Sequence, residues 1–274
     1  MKTEIQQRLA HLRHVAFDLD GTIYLDGQLF PPVRGLLSTL AELGIGYSFL
    51  TNNSSRGKQH YVQLLEELGI ATMEENIFTS TDATIEFLRD KQPMTKRLFV
   101  LGTKEMRDEL VGQGFETTSL DPDDEPDAVV VGFDSELQWK TLCCAAYWID
   151  QQKPFIATNI DRVCPTKERT VMVDCGSICA AIESATGRKP DVVPGKPDPR
   201  MINGLMRRYG VDSSQVAMVG DRLYTDMAMA RAADVLGILV LTGEATEAQV
   251  AQCDSPPDLV LRDLREFEDL LRNR

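Results

Sequence analysis

His14-Val15-Ala16-Phe17-Asp18-Leu19-Asp20-Gly21-Thr22 opens as an apolar strand and closes on two carboxylates separated by one residue. Residues i and i+2 of a strand share a face, so Asp18 and Asp20 stand side by side where the strand gives way to a loop. Two acids in one small volume repel when both ionise. The arrangement is useful when a cation sits between them, or when one of them holds a proton for catalysis. Gly21 lets the backbone turn sharply or approach a ligand closely, and Thr22 adds a hydroxyl beside it. The bland reading is a polar turn after a strand; the remainder of the chain decides between the two.

Outward from that stretch, short apolar strands alternate with segments of helical period, the signature of an α/β sheet with crossover connections. Pro32 starts a helix that runs through Leu36, Leu37 and Leu40 and stops at Gly44. Tyr47 to Leu50 reads as the next strand, Thr51-Asn52-Asn53-Ser54 as its loop, and Gly57 to Leu68 as a helix closed by Gly69. A strand near Ile77 and Phe78 and a helix from Asp82 to Arg89 lead to Lys91-Gln92-Pro93, a polar break read as a hinge. A second series follows, with strands at Leu98 to Leu101, Ala128 to Val131 and Phe155 to Ala157, and helices around Lys104 to Val111, Leu137 to Ile149 and Ser177 to Thr186. After Gly187-Arg188-Lys189-Pro190 the first pattern resumes: a strand Asp191 to Val193, a helix Pro199 to Tyr209 and a strong strand Val216 to Val219. A helix through Met227 and Ala230, a strand Val235 to Leu241, a short helix near Ala248, a strand Leu259-Val260 and a last helix from Asp263 complete the chain. The expected organisation is a Rossmann-like parallel core made of residues 1–93 and 190–274, with an α/β domain inserted over 94–189.

Bulk properties narrow the partners. At 274 residues, two domains are the better expectation than one. With 29 Lys and Arg against 42 Asp and Glu, the net charge of -13 repels nucleic acid and anionic membrane surfaces, so neither is expected as a partner. The amino-terminal residues carry no apolar stretch and the longest apolar run, near Val235 to Leu241, is far short of a membrane span; a cytoplasmic location is expected. The six cysteines (Cys143, Cys144, Cys164, Cys175, Cys179, Cys253) form no C-x-x-C pair and are read as buried, reduced and structural, although Cys175 and Cys179 share a helix face. Of the three histidines, His11 and His14 fall at or before the first strand and His60 lies on a helix, so acid and base work falls to carboxylates. The acidic loop Asp121 to Asp127 reads as a solvated turn.

Asp18/Asp20, Thr51/Asn52 and Asp221 each follow an apolar strand directly, so in a parallel sheet they gather along the edge where strands finish, the ligand-binding edge of open α/β sheets. Lys196 supplies a cation from a fourth loop, and the helix after Asn53 could point amide groups at an anion. Carboxylates, a hydroxyl, an amide and an ammonium on one spot suit a magnesium ion and a phosphoryl group. At this point D-L-D-G-T (18–22), T-N-N-S (51–54), G-K-P (195–197) and G-D-R-L-Y-T-D (220–226) resemble the four ordered motifs of the haloacid dehalogenase (HAD) superfamily of phosphatases. Between the second and third motifs, V-V-V-G-F-D (129–134), A-T-N-I-D (157–161) and G-S-I-C-A-A-I-E (176–183) before T-G-R-K-P (186–190) resemble the large C2-type cap of the NagD-like or p-nitrophenyl phosphatase branch.

The resemblance implies magnesium-dependent hydrolysis of a small phosphorylated metabolite, with Asp18 as nucleophile forming an aspartyl-phosphate and Asp20 as general acid and then base. It implies that magnesium is held by a carboxylate oxygen of Asp18, the main-chain carbonyl of Asp20 and the carboxylate of Asp221, and that Thr51, Asn52 and Lys196 bind the phosphate oxygens. Plainer readings stand beside these: Thr51 as a helix cap, Lys196 as a surface cation, Asp226 as a metal or Lys196 partner or else a helix-surface acid, and Arg56 and Arg222 as solvent-facing. Thr158, Asn159 and Asp161 could face the leaving group or simply build a turn. Val173-Asp174 departs from the Pro-Gly pair common in relatives, which leaves substrate choice open. A phosphotransferase or mutase using the same intermediate, or a non-catalytic phosphometabolite-binding protein, are the alternatives, and a homodimer is left open.

Overall fold

The computed structural model describes residues 2–164, 166 and 169–274, the side chains of residues 2 and 3 excepted. The chain divides into two compact units: Met1–Thr51, Val62–Phe78 and Lys196–Arg274 form one, Asn52–Tyr61 and Thr79–Gly195 the other. Residues 94–189 fall wholly inside the second unit, which also takes in 79–93, 190–195 and the loop after Thr51.

The first unit is organised on a six-stranded sheet in the order Leu259–Leu261, Leu236–Val240, Val216–Gly220, His14–Asp18, Gly46–Thr51 and Ile77–Thr79. The strand His14–Asp18 is buried along its whole length and pairs in parallel with a strand on each side, which is why it reads as a continuous apolar run rather than an alternating one. Its register sets Asp18 opposite Leu50 and Phe17 opposite Val219. Asp18, Thr51 and Asp221 therefore finish at nearly one level, at the carboxyl edge of the sheet. The helices Val33–Glu42 and Leu264–Arg272 pack on each other, with Thr39 Oγ1 donating 2.9 Å to Glu268 and accepting 2.7 Å from Arg272, and each buries an apolar stripe: Val33, Leu36, Leu37 and Leu40 on the first, Leu264, Phe267 and Leu271 on the second. Asp263 caps the second of these by accepting from the amides of Arg265 and Glu266.

The second unit has a four-stranded parallel sheet in the order Glu116–Thr117, Arg97–Leu101, Ala128–Val131, Phe155–Ala157. Side chains alternate across it: Phe99, Leu101, Val129 and Val131 meet the helices Trp139–Asp150 and Cys175–Thr186 on one face. Leu98, Val100, Ala128 and Val130 meet the helices Ser80–Lys91 and Lys104–Gly112 on the other.

Several expectations are corrected. Residues 191–193 form no strand; Val192 makes a single bridge to Ile156, since the Asp191 carboxylate takes the Phe155 amide and Pro194, two residues on, has no N–H to extend a ladder. The helix Lys2–His11 and the two-residue strand pairs Tyr24–Leu25 with Gln28–Leu29 and Val163–Cys164 with Met172–Val173 were not foreseen. Only Cys144, Cys175 and Cys179 are buried, whereas Cys143 is exposed and Cys164 and Cys253 are half-buried; all six are free thiols. No helix of the described residues is long and apolar enough to cross a membrane.

Candidate active site

Asp18 ends the central strand and is buried. The chain then turns at Gly21, whose φ of 84° is the left-handed region that side chains avoid, and a Cβ there would lie 2.5 Å from Asp221 Oδ2. Glycine is thus needed both for the turn and for the approach of the two loops. Thr242 Oγ1 donates 2.6 Å to the Gly21 carbonyl and holds that approach.

Lys196 opens the last segment of this unit with its ammonium enclosed, donating to Asp18 Oδ1 and, at 2.7 Å, to Asp226 Oδ1. Burial works against the ammonium, but the Asp18 and Asp226 carboxylates outweigh it and keep Lys196 protonated above its ordinary range. Asp226 is fully buried on the π-helical turn Leu223–Met227, and a Cβ on Gly220 would sit 2.4 Å from its Cγ. Its Oδ2 accepts from the Arg222 amide at 3.1 Å.

Asp221 follows the strand Val216–Gly220 and is buried, with Oδ2 accepting from the Glu244 amide at 2.6 Å and Oδ1 enclosed without a hydrogen-bond partner. Burial and then the neighbouring Asp226 carboxylate push its carboxyl up to about 7. Burial likewise raises the Asp18 carboxyl well above its usual range, with Lys196 opposing and Asp226 and Asp221 adding to the rise. One carboxylate oxygen each from Asp18, Asp221 and Asp226 lie within 4.8 Å of one another. Three carboxylates face one ammonium, so a buried surplus of negative charge calls for protons or a cation. A hard, all-oxygen donor set with one orphaned carboxylate oxygen fits a divalent cation such as magnesium or calcium.

Asp20 stands apart from this cluster. Its carboxylate is half-buried and accepts a long bond (3.4 Å) from the Tyr24 hydroxyl, and burial raises its carboxyl against the opposing pull of Arg222 and Lys196. Thr51 is buried at the end of Gly46–Thr51, seven residues before the helix Lys58–Glu67, so it is no cap of that helix. Asn52 is buried too, and its amide nitrogen donates 2.8 Å to Asp161 Oδ2 within the second unit.

Three further plain readings fail. Asp226 is no helix-surface acid: it takes the other reading, pairing with Lys196 and joining the acidic cluster. Arg222 does not face solvent; its guanidinium is mostly covered and pairs with Glu244 at 2.9 Å. Arg56 is exposed, 3.2 Å from Glu105, as expected. Lys196 is no surface cation.

Comparison with known proteins agrees with this geometry. Residues 15–116 match the family described as haloacid dehalogenase-like hydrolase, and residues 193–267 match a HAD-hydrolase-like family. The ribonucleotide monophosphatase NagD of Escherichia coli is 30% identical over 94% of this chain and 98% of its own. The crystal structure of 4-nitrophenylphosphatase from Thermotoga maritima superposes with a TM-score of 0.88 at 38% identity, covering 96% of this chain and 98% of that one. A glycerol phosphate phosphatase from Mycobacterium tuberculosis, solved in complex with magnesium, has a TM-score of 0.87 at 29% identity, covering 95% of this chain and 78% of that one. With fold, motif order and full-length similarity in agreement, the chain belongs to the haloacid dehalogenase-like hydrolases, in their NagD-like phosphatase branch.

Proposed function

We propose that the protein hydrolyses a small-molecule phosphomonoester in a magnesium-dependent reaction, with Asp18 as nucleophile. The observation that carries this reading is the enclosed cluster of Asp18, Asp221, Asp226 and Lys196, whose charge is unbalanced without a cation. Asp18, Asp221 and the main-chain carbonyl of Asp20 would hold the magnesium, with Asp226 beside them. When bound, the ion supplies charge neutralisation for the carboxylates and the phosphoryl oxygens.

A carboxylate oxygen of Asp18 attacks phosphorus, the bond to the ester oxygen breaks, and Asp20 gives its proton to the departing alkoxide. A raised carboxyl suits Asp20 to that task, since it must carry a proton when the ester arrives. Asp20, now ionised, takes a proton from water as that water attacks the aspartyl-phosphate, which releases inorganic phosphate and restores both acids. Lys196, Thr51 and Asn52 hold the phosphoryl oxygens and stabilise their charge in the transition state. The second unit acts as the inserted C2-type cap, with 94–189 as its body.

A panel of sugar phosphates, nucleoside monophosphates, phosphoglycolate, glycerol phosphate and p-nitrophenyl phosphate, assayed with and without magnesium, tests the proposal and ranks the substrates. Phosphate release that survives Asp18→Asn, or that ignores chelation of divalent ions, refutes it.

A further inference from the structure

The loop that follows Thr51 belongs to the second unit and is fastened within it. The Asn52 carbonyl accepts from Ser80 Oγ at 2.7 Å, on the helix Ser80–Lys91. Ser54, fully buried, accepts through Oγ from the Phe133 amide at 2.9 Å and lies 3.0 Å from Thr158 Oγ1. The Ser55 carbonyl accepts from Thr103 Oγ1 at 2.9 Å, and Lys58 pairs with Asp82 at 2.7 Å. These partners come from the ends of strands and from helices of the second unit, so 52–58 has its position set there.

At the head of this loop the Asn52 side chain joins a buried polar chain whose other members, Asp161, Asn159 and Asp174, the proposed reaction leaves unused. Asp161 Oδ2 accepts from Asn52 Nδ2 at 2.8 Å and from Asn159 Nδ2 at 3.1 Å, and Asn159 also reaches Asp174 Oδ1 at 3.2 Å. All four side chains are more than nine-tenths buried. Asp174 caps the helix Cys175–Thr186, and the Gly176 amide donates 2.8 Å to the Asp161 carbonyl. A Cβ on Gly176 would sit 2.2 Å from the Ile160 carbonyl oxygen, so the start of this helix is packed against 160–161 as closely as glycine permits. The Asp161 carboxyl is thus buried and fixed in place, and it accepts from the side chain of the residue that directly follows Thr51.

We propose that Asp161 is a positioning residue: by holding the Asn52 side chain it sets the backbone at 51–53, and so fixes where Asn52 meets the phosphate. The inference rests on the reading of Asn52 as a phosphate ligand given above. It assigns A-T-N-I-D a task in the inserted unit other than contact with the leaving group. A buried hydrogen bond to a carboxylate is among the stronger ones, and a misplacement of about 1 Å at a phosphate site costs up to about a hundredfold in rate.

The test uses the full chain with magnesium and p-nitrophenyl phosphate, measuring kcat, KM and competitive inhibition by inorganic phosphate. Asp161→Ala is expected to lower kcat/KM about tenfold to a hundredfold and to weaken phosphate inhibition similarly, while the magnesium concentration for half-activation stays within about twofold. Asn52→Ala should do the same, and the double variant should be no worse than Asn52→Ala alone. Asn52→Asp sets two carboxylates against each other, and adding Asp161→Asn reverses the bond and should recover at least about tenfold; this pair serves if Asp161→Ala folds poorly. The proposal is overturned if Asp161→Ala lowers only thermal stability and leaves the kinetic constants within about twofold, if the two alanine effects multiply, or if the reversed pair recovers nothing. Absence of turnover by the unaltered protein on every phosphomonoester would sink the proposed function instead, so the two failures are distinguishable.

Discussion

Replacing Lys196 by methionine keeps the length of the side chain and removes the single ammonium that compensates the acidic cluster. Its side chain is 3% exposed, and those of Asp18 and Asp226 are 11% and 0% exposed, so solvent cannot take over the screening. Removing one partner of such a buried pair leaves the other uncompensated and typically costs about 3–5 kcal/mol, a large share of a domain's total stability. In chelator, therefore, urea unfolding of Lys196→Met should shift by that amount. Adding Asp226→Asn, which removes one negative charge while its oxygen can still accept from the Arg222 amide, should recover about half of it. The sign for a cation is opposite: a more negative site holds magnesium more tightly, so magnesium should raise the melting temperature of Lys196→Met by more than that of the unaltered protein. Activity should fall despite the tighter metal, because the phosphoryl oxygens lose a charged donor, by about 10²–10³ in kcat. A cost below about 1 kcal/mol in chelator, or a cost unchanged by Asp226→Asn, would falsify the claim that charge balance among these groups holds the loops together.

Three further expectations follow from the same arrangement of residues. In Gly243→Ala the new Cβ meets Asp221 Oδ2, 1.9 Å from its ideal position, so Asp221 must move and half-activation should need at least about tenfold more magnesium in a titration of activity. Chelation followed by calorimetry should find inorganic phosphate binding lost without a divalent ion, since the anion then meets a surplus of buried carboxylates; undiminished binding refutes the charge argument. His14, bonded at 2.9 Å to Ser48 Oγ and stacked at 4.2 Å on Tyr209, has its pKa lowered by burial to about 4 from 6.5, so the fold keeps it neutral. Below pH 6.5 the unfolded chain gains a proton that the fold refuses, so stability should fall by about 2 kcal/mol from pH 7 to pH 5 through this group, a slope absent in His14→Phe and measured by urea unfolding at both pH values.

What the sequence made legible was whatever a strand end announces. Asp18 and Asp221 follow apolar runs, and parallel pairing with Phe17 opposite Val219 brings them level without any knowledge of side-chain packing. Lys196 was legible from its Gly-Lys-Pro setting. Asp226 was legible only as one of two readings, a metal or Lys196 partner or else a helix-surface acid; the π-turn and the bare Cα of Gly220, which bring it inward to Lys196, decide between them. The fastening of Asn52 was hidden, since its partner Asp161 lies 109 residues away and no local pattern encodes that pairing. Two-residue strands such as Glu116–Thr117 and the single bridge at Val192 escape for another reason: a ladder that short has no period to read.

The overall charge of -13 and the proposed anionic substrate are reconciled locally. A long-range negative field slows the approach of a phosphomonoester and is screened over roughly 10 Å at ordinary ionic strength, whereas affinity is set within a few ångströms of the bound group. There the chain sets three buried carboxylates and one ammonium, an arrangement that disfavours an anion until a divalent cation joins it. On the proposed reading, occupancy by metal decides whether phosphate is repelled or held, so the acids that look least suited to an anion site would make its affinity conditional on the metal. Gly21, Gly220 and Gly243 are the backbone side of the same device: each would put a Cβ within 2.5 Å of an Asp221 or Asp226 atom. Close packing of glycine Cα atoms around the carboxylates excludes the water that would otherwise screen them, and the low local polarity is what makes the charge imbalance large enough to act as a switch.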